Sequence, residues 1–465
     1  MKYYILTIFI LSQIILAEPF EGLTLITSMG GGQNSSDTYL IDNDENIINS
    51  WSHPTFSASV GYLSRDSILF LPSKLGGDNG GPAGGLFKKI DWDGNILWEW
   101  LMPVEICVPH HDITVLPNGN ILAICEETRS QQEALNAGLE GINGPITLDM
   151  VVEIQPLGDN QAEIIWEWRF WDHLVQDRGP QYTATYGEIS DHPELLDINV
   201  NGNGNNQGIN DWNHSNKISY NETFDQIVLS CRHMNEIYVI DHSTSTEESA
   251  GHTGGNQDKG GDLLYRWGNP QNYERGTSDD QIFDAQHGIN WIPDGYPGEG
   301  NFLVYNNIHQ RNPNRSAILE FDCIADENGF YPIEDGQPFG PETYLWIYQA
   351  DFFSATQSGA YRLPNGNTLI TVTNEFDFFE VDLNGRVEWD PSFNSQCARA
   401  LKYGYDYFDN NILGDINSDN QINVLDVIIV VNLILDNSFN ELGDMNEDGI
   451  LNILDIIDLI NLILD

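Results

Sequence analysis

The most constraining feature of the sequence is a repeated unit of short apolar strands and tight turns. Each copy has an apolar strand, an Asn-Gly-like turn, a second apolar strand and, further on, a strand ending in Trp. The copies pair residues 61–71 with 91–100, 110–124 with 162–168, 214–230 with 262–269, 286–305 with 343–348 and 358–372 with 383–390, and residues 23–28 with 46–51 supply part of a sixth. Such turns are typical of β-hairpins, and a repeat of this length is typical of four-stranded sheets. Six sheets in a ring predict an all-β fold, a six-bladed β-propeller.

The predicted propeller spans residues 18–408. A solenoid is the competing architecture, but solenoids have shorter and more uniform repeats. No amphipathic helix of useful length precedes residue 424, which excludes α/β folds. Gly/Asn-rich stretches at 76–85 and 200–208 lie between strands, and we interpret them as loops.

The N-terminal segment has the pattern of a secretory signal. A single Lys precedes an apolar run from Tyr3 to Leu16, and the small residue Ala17 marks a cleavage position. The run is shorter than the ~20 apolar residues that a membrane helix needs, and no later segment is long and apolar enough to span. We therefore predict that residues 1–17 are a signal peptide and that the mature chain is secreted or periplasmic, with no membrane span.

An oxidising compartment would permit disulfides among the five cysteines. Cys107 and Cys125 flank one predicted hairpin and are a candidate pair, although their spacing alone does not decide it. An odd count leaves at least one cysteine free. Nothing in the sequence indicates a cysteine nucleophile or a cysteine-based metal site.

The charge balance limits the partners. Asp and Glu total 70 against 19 Lys and Arg, so the formal net charge is −51. This argues against nucleic acid, because a basic face is needed to neutralise phosphates, and against an anionic membrane surface. An anionic substrate would need a locally positive pocket within this repulsive field. The positions of the few cations and histidines are therefore informative.

Residues 409–465 contain a different repeat, in which an oxygen-rich loop twice precedes an apolar helix. Oxygen ligands at loop positions 1, 3, 5, 9 and 12 are the spacing that Ca²⁺ requires in an EF-hand loop, with Asp replacing the usual twelfth Glu. The loops at 415–426 and 444–455 therefore predict two structural Ca²⁺ ions. The predicted ligands are Asp415, Asn417, Asp419, Asn423 and Asp426 in the first loop and Asp444, Asn446, Asp448, Asn452 and Asp455 in the second.

This pair of loops resembles a type I dockerin over about 414–465. The resemblance implies docking onto a cohesin-type protein. Loop positions 10 and 11, which often determine the partner of a dockerin, are the apolar pairs Val424/Leu425 and Ile453/Leu454 rather than Ser/Thr. We therefore expect an atypical partner. The alternative is a calcium-stabilised module that binds no cohesin.

Histidines recur at one position of the propeller repeat. His111, His214 and His287 each stand six residues before the Pro of the turn or its counterpart, which is Tyr220 for His214. The innermost strand of each blade lines the channel of a propeller, so three successive blades would direct an imidazole at one point. His110 is the alternative to His111, since alternation along a strand allows only one of them to point inward.

Arg232 ends the strand that returns from His214, so one hairpin can bring the two together. A histidine cluster fits either a metal site, since His is a common ligand of Zn and Cu, or nucleophilic and acid–base catalysis on an anion. Arg232 favours the second, because a metal ion repels a neighbouring cation and a guanidinium suits oxyanions.

The motifs HHDITVLPNGNIL, DWNHSNKISYNETFDQIVLSCRHMNEIYVID, QHGINWIPDG and SGAYRLPNGNTLI resemble the arylsulfotransferase family, the PAPS-independent aryl-sulfate sulfotransferases. The resemblance covers roughly residues 20–405. It implies a six-bladed propeller that moves a sulfuryl group from a phenolic sulfate ester to a phenol acceptor, by a ping-pong route through a sulfated histidine. The larger enzymes of the family carry a separate N-terminal β-domain, for which residues 18–55 are too few.

The resemblance also assigns roles by motif. His287 in QHG matches the nucleophile, and His214 and Arg232 match residues that hold and polarise the sulfuryl group. The HHD motif supplies the remaining histidine, His111 or His110, and Asn216 is a further donor to the substrate. No GxxxxGK[ST] loop occurs, which agrees with a donor that is not a nucleotide and with the absence of a nucleotide cofactor.

Two other functions fit the same residues. A propeller hydrolase or lyase acting on a sulfated or uronic polymer would use these histidines on another substrate. A non-catalytic binding propeller would be carried to a surface by its dockerin.

Overall fold

The computed structural model describes residues 18–29, 36–74, 84–158, 160–200, 211–408, 413–417, 421–435, 438–446 and 448–464. The predicted signal peptide, most of the loop stretches 76–85 and 200–208, and the predicted calcium ligand Asp419 lie outside these residues. The chain divides into two compact units, one within residues 1–62 and 69–402 and the other within 63–68 and 403–465. The predicted domain boundary between 408 and 409 stays a prediction.

The larger unit is a six-bladed β-propeller, in which each blade is a four-stranded sheet. The strands of blades 1 to 3 are β1 (Gly22–Ser28), β2 (Ser36–Ile41), β3 (Ile47–His53), β4 (Tyr62–Leu63), β5 (Leu69–Ser73), β6 (Leu86–Ile90), β7 (Ile96–Leu101), β8 (Val108–Val115), β9 (Ile121–Arg129), β10 (Ile146–Leu157) and β11 (Gln161–Arg169). A small sheet follows with β12 (Leu174–Gln176), β13 (Thr185–Tyr186) and β14 (Leu196–Asp197).

Blades 4 to 6 complete the ring. Their strands are β15 (Ser215–Asn221), β16 (Gln226–Cys231), β17 (Glu236–Asp241), β18 (Tyr265–Trp267), β19 (His287–Trp291), β20 (Phe302–Arg311), β21 (Asn314–Phe321), β22 (Trp346–Tyr348), β23 (Gly359–Arg362), β24 (Thr368–Val372), β25 (Asp377–Val381) and β26 (Val387–Trp389). The last strand, β27 (Cys397–Gly404), pairs with β1 and so closes blade 1 with the two ends of the propeller sequence.

The predicted turns connect the two inner strands of blades 3 and 6. The N–H of Leu116 donates to the carbonyl of Asn120 at 2.9 Å, and Gly119 between them has a φ of 81°. Only glycine adopts this left-handed conformation without a steric penalty. In blade 6 the N–H of Leu363 donates to the carbonyl of Asn367 at 2.8 Å. These Asn-Gly-Asn turns therefore fix the hairpins that the sequence repeat predicted.

The Trp that ends each repeat joins one blade to the next. Its indole Nε1–H donates to an oxygen of the following blade, and the last Trp donates to blade 1. The six bonds run from Trp51 to Asp91, Trp98 to Gln161, Trp166 to Thr244, Trp267 to Pro341, Trp346 to Leu383 and Trp389 to Asn43. Between these contacts, apolar cores fill the spaces between adjacent sheets, as between blades 3 and 4 and between blades 4 and 5. The six repeats therefore form a ring of interlocked sheets.

Two further features hold local structure in the propeller unit. Cys107 and Cys125 form a disulfide, so the candidate pair is confirmed. Two short helices, α1 (Gln131–Ala137) and α2 (Thr246–Ser249), occupy connections of blades 3 and 4, and each begins with a capping box.

The smaller unit contains α3 (Val424–Leu435) and α4 (Ile453–Leu464), which pack against each other. Val430 and Leu459 are their fully buried apolar residues. Among the described residues, none of the helices has the length and apolar character needed to cross a bilayer.

Candidate active site

The predicted histidines lie on the innermost strands of three consecutive blades. His110 and His111 lie in β8, His214 directly precedes β15, and His287 begins β19. These strands contact one another in that order, β8 with β15 and β15 with β19. Each ladder is irregular beside its histidine, and such bulges redirect side chains next to active sites. The irregularities fall between Pro109 and Ile113, Ser215 and Lys217, and His287 and Asn290.

The structure corrects the repeat position assigned to His214. His111 and His287 each precede the last paired residue of their strand, Val115 or Trp291, by four positions. His214 precedes the last paired residue of β15, Asn221, by seven. Tyr220 pairs within the ladder and is not the counterpart of a turn Pro, because the strand continues through Asn221 before the connection of this hairpin begins. His214 therefore reaches the site from a different position in its strand than His111 and His287 do.

The side chains nevertheless come together. The His111 and His214 rings lie 4.7 Å apart between centroids, and His214 stacks on His233 at the same distance. The backbone N–H of Arg232 donates to the carbonyl of His214 at 2.9 Å, so the hairpin returns the arginine to the histidine. His233, which directly follows Arg232, was not predicted, although the motif SCRH contains it.

His287 is held in one tautomer. Its Nδ1–H donates to the Oδ1 of Asn307 at 2.8 Å and to the carbonyl of Ala285 at 3.1 Å. The orientation of the Asn307 amide is fixed because its Nδ2 donates to the carbonyls of Ser354 and Gln357. Nε2 therefore carries the lone pair. Burial lowers the pKa of His287 to about 3, with the positive charge of Arg232 contributing, so the ring is neutral at physiological pH.

His110 and His111 form a buried pair behind His214. The two Nδ1 atoms lie 2.7 Å apart, and Nε2 of His110 donates to the carboxylate of Asp149 at 3.1 Å. Burial opposes a charge on His110, but Asp149 outweighs it and raises the pKa of that imidazole. Burial and the neighbouring cations hold the pKa of His111 well below its usual value. His111 is the member of the pair that contacts His214, and His110 lies between it and Asp149.

Two arginines supply positive charge with unused donors. Arg399, in β27, is fully buried, and its Nη2 donates to Asp112 at 2.6 Å. Its Nε and Nη1, and the Nε of Arg232, have no hydrogen-bond acceptor among the described residues. Arg399 also lowers the pKa values of His111 and His287, so its charge acts on both rings. Sequence reasoning missed Arg399, because it lies in the final strand, outside the repeat turns.

Asp112 connects four innermost strands. One oxygen accepts from Tyr62 and Arg399, and the other accepts from the Nζ of Lys217 at 2.8 Å and from the N–H of Ile218. Two cations against one buried carboxylate leave a net positive charge. The positive pocket that the charge balance required is therefore formed by residues from blades 1, 3 and 4.

Asn216 lies beside the nucleophile candidate rather than open to solvent. It is fully buried, and its Nδ2 donates at 2.8 Å to the carbonyl of Gln286, the residue before His287. Its Oδ1 has no donor among the described residues. The contact positions the chain at the start of β19.

The alternative of a metal site has one candidate here. Asp211, His214 and His233 each offer a ligand atom within 4.8 Å of the others. The Nδ1 of His214 lies 2.5 Å from a carboxylate oxygen of Asp211. The Nδ1–H of His233 donates to the backbone carbonyl of Asp211. Arg232 directly precedes His233 and bonds to the carbonyl of His214, and its charge lowers the pKa of His233 after the larger effect of burial. A divalent ion would face that fixed positive charge, so the geometry favours an anion.

The calcium loops contain buried carboxylates. Asp415, Asp426, Asp444 and Asp455 are 5% exposed or less. Asp426 accepts from the backbone N–H of Ile416, and Asp444 accepts from that of Gly449. The Oδ1 of Asp455 is buried with no donor among the described residues. An uncompensated buried carboxylate is costly unless a cation neutralises it, so these residues fit Ca²⁺. The predicted ligands Asn423 and Asn452 also cap α3 and α4 through their Oδ1 atoms.

Comparison with known families agrees with both units. A model of the arylsulfotransferase (ASST) family matches residues 23–329, about two thirds of the chain. The chain belongs to the arylsulfotransferase family. A type I dockerin domain matches residues 413–464. The arylsulfotransferase family assigns the propeller a transferase function with aryl substrates, and type I dockerin domains bind calcium, associate with cohesins and are typical of extracellular proteins.

Solved structures resemble the arylsulfotransferase chain at low identity. A protein of unknown function from Bacteroides caccae is 11% identical, with 82% of this chain and 98% of that one covered and a TM-score of 0.43. Virginiamycin B lyase from Staphylococcus aureus is 12% identical, with 87% and 90% covered and a TM-score of 0.35. The β-propeller domain of Cps50 (Swd1) from Myceliophteria thermophila is 8% identical, with 82% and 88% covered and a TM-score of 0.37. No curated protein matches the chain.

Proposed function

We propose that this protein is an exported aryl-sulfate sulfotransferase that transfers a sulfuryl group from a phenolic sulfate ester to a phenol, without a nucleotide donor, through a sulfated His287. The observation that carries the proposal is the fixed tautomer of this residue. Its Nδ1–H is held by Asn307 and Ala285 while its neutral Nε2 keeps a lone pair. A neutral, oriented imidazole is a nucleophile at physiological pH.

In the first half-reaction, Nε2 of His287 attacks the sulfur. The N–S bond forms as the bond from sulfur to the aryl oxygen breaks, and the phenolate leaves with the electron pair. Charge on the sulfuryl oxygens is met by the unpaired donors of Arg232 and Arg399. Preorganised donors of this kind are worth about 10²–10³-fold in rate each.

His110 and His111 form a proton relay to the leaving group. Asp149 favours a protonated His110, whose Nδ1–H then donates to the Nδ1 of His111. Neutral His111 consequently carries its own proton on Nε2. As that proton moves to the phenolate, the Nδ1 proton of His110 moves to His111, and no unpaired charge is left in the buried pair.

The second half-reaction reverses the first. The acceptor phenol loses its proton to His111, its oxygen attacks the sulfur, and the N–S bond breaks with its electron pair returning to His287. The protonation states of both histidines are then restored. Asn216 supports this geometry through the carbonyl that precedes the nucleophile.

The dockerin unit determines where the enzyme acts. We propose that two Ca²⁺ ions bind, one through the carboxylates of Asp415 and Asp426 and one through those of Asp444 and Asp455. The remaining predicted ligands complete the loops. Calcium neutralises these buried carboxylates and orders the loops before α3 and α4. The apolar pairs at the helix starts, Val424/Leu425 and Ile453/Leu454, are exposed and would contact a cohesin-type partner.

The decisive experiment incubates the purified chain with p-nitrophenyl sulfate, with and without a phenol acceptor. We expect one equivalent of nitrophenol without acceptor, multiple turnovers with acceptor, and neither in His287→Ala. His53→Ala is the matched control, because His53 is also buried with a pKa lowered to about 4 but lies in the outermost strand of blade 1. Multiple turnovers without acceptor would identify a sulfatase, and no release with any phenol would favour a binding propeller.

A further inference from the structure

A second histidine cluster lies beyond the end of the outermost strand of blade 3, where it meets a long insertion of blade 4. His173 follows β11, and His252 and Asp262 lie in the segment between β17 and β18. The Nδ1 atoms of His173 and His252 lie 2.9 and 2.7 Å from the same oxygen of Asp262. The three ligand atoms all lie within 4.8 Å of one another.

The position of one proton shows what this cluster is suited to bind. Nε2 of His173 lies 2.8 Å from the carbonyl of Ser249, which can only accept, so Nε2 carries the proton. The lone pair of a neutral His173 is then at Nδ1, facing the carboxylate oxygen of Asp262. Two acceptors at this distance repel each other unless a positive charge joins them. Histidines that bind metals characteristically donate their other N–H to a backbone carbonyl in this way.

Packing holds His173 in place. The ring is fully buried and stacks on Trp168, with centroids 5.5 Å apart and planes at 5°. The Nε1–H of Trp168 donates to the carbonyl of Gly261 at 2.6 Å. A Cβ on Gly261 would lie 2.5 Å from His173 Nε2 and 1.9 Å from the Ser249 carbonyl, so only glycine allows the insertion to approach this closely. Residues of blade 3 and of the blade 4 insertion therefore both fix the position of His173.

We propose that His173, His252 and Asp262 bind a divalent transition-metal ion, with Zn²⁺ the best-suited cation, and that the ion ties the blade 4 insertion to blade 3. Two imidazoles and a carboxylate, with water as fourth ligand, are a donor set that Zn²⁺ accepts. Tetrahedral bonds of ~2.0–2.1 Å separate ligand atoms by about 3.3 Å, which requires a widening of roughly half an ångström.

The surroundings of His252 allow this adjustment. Its side chain is 51% exposed, so it is free to move outward. It also lines a cavity of about 210 Å³ together with Trp171 and Thr185. The cavity gives space for a water ligand.

The test is a Co²⁺ titration of the full chain, followed by visible absorption, with excess Ca²⁺ present to occupy the dockerin loops. We expect one equivalent of Co²⁺ with the absorption of a tetrahedral nitrogen–oxygen site, displaced by Zn²⁺. His252→Ala and Asp262→Asn should each weaken binding by about tenfold or more, since each removes one of three protein ligands. Because His252 is half exposed, its alanine variant is expected to fold, which circular dichroism checks.

Two controls separate this site from other histidines. His192→Ala removes a partly exposed histidine that also pairs with a carboxylate, that of Glu194, and should leave Co²⁺ binding unchanged. His214→Ala removes a member of the cluster at the propeller centre and should leave it unchanged as well. The proposal is overturned if the wild-type chain gives no tetrahedral spectrum, if His252→Ala binds as tightly as wild type, or if only His214→Ala abolishes the signal.

Discussion

Within the described residues, the propeller centre and the calcium loops both contain buried polar atoms without partners, but the charged groups that carry such atoms are of opposite sign. At the centre these charged groups are guanidinium groups, with the Nε and Nη1 of Arg399 and the Nε of Arg232 as donors without acceptors, while the neutral amide of Asn216 leaves its Oδ1 without a donor. In the second calcium loop the atom is an acceptor, the Oδ1 of Asp455. Buried donors without acceptors suit an anion, and buried acceptors without donors suit a cation. In a chain of net charge −51, the kind of buried atom that lacks a partner indicates the charge of the ligand more directly than the overall charge does.

The two regions also differ in what organises them. Asp112 bonds to side chains of three other blades, and Asn307 orients His287, so protein contacts alone hold the propeller site. The loops place four buried carboxylates close to short helices, and such an arrangement needs an ion to be stable. The propeller site is preformed, and we expect the calcium loops to fold with their ion.

The strongest test of the contrast removes a donor from the propeller site. Arg232→Ala should lower kcat for sulfuryl transfer by about 10²–10³-fold, because a preorganised donor to the sulfuryl oxygens is lost. Steady-state assays with p-nitrophenyl sulfate and phenol measure this. The control is Arg315→Ala, at a half-buried arginine of β21 that is paired with Asp351. A loss of less than about threefold would contradict the role of the unused donor.

The corresponding test in the dockerin removes the acceptor without a partner. Asp455→Ala should weaken one of two Ca²⁺ binding events by about 10–100-fold, since a charged ligand is lost from the loop. Calorimetric titration of the full chain with Ca²⁺ measures this. Asp458→Ala, in the same helix but outside the loop, is the control. Two unchanged binding events would show that the orphaned oxygen does not indicate a ligand.

A third test adds negative charge to the positive site. In Asn307→Asp, a carboxylate next to Nδ1 favours the imidazolium and raises the pKa of His287 from about 3. The nucleophile is neutral only above its pKa, so kcat/KM of the variant should fall as pH drops through the new value. Relative to wild type, we expect about a tenfold loss for each pH unit below that value. A ratio of variant to wild type that does not change with pH would refute the assigned tautomer.

The smallest expected effect concerns the hydrogen bonds that join the blades of the propeller. Trp389→Phe removes the hydrogen bond to the carbonyl of Asn43 and should lower the free energy of unfolding of the propeller by about 1 kcal/mol. Urea denaturation monitored by circular dichroism measures this, and chelation of Ca²⁺ should leave that transition unchanged. A propeller transition that depends on Ca²⁺ would erase the distinction between preformed and ion-dependent sites.

The regular parts of the fold could be predicted from sequence because they are local. Asn-Gly turns such as that at Gly119 and a Trp at the end of each repeat recur at readable intervals. The register of His214 could not be predicted, because the bulge between Ser215 and Lys217 and the later start of the turn leave no simple trace in the spacing.

The chemistry of the site was predicted only where motifs carry it. The histidines and Arg232 lie in motifs, whereas Arg399 joins Asp112 across 287 positions, through the closure of the ring. Asn307 is one of many asparagines in the sequence, and only the two carbonyls that fix its amide make it the partner of His287. Contacts of this kind depend on the geometry of the closed ring and not on any local pattern.

The backbone at two of the histidines has a consequence for evolution and engineering. His111 and His214 have φ values of 57° and 53°, a region that favours glycine over any residue with a Cβ. Glycine at either position would relieve this strain, but it would also remove an imidazole that packs against its neighbours at the centre. The strained backbone is therefore a cost that the protein carries to place these imidazoles, and a search for robust variants of this enzyme has to select for turnover at the same time.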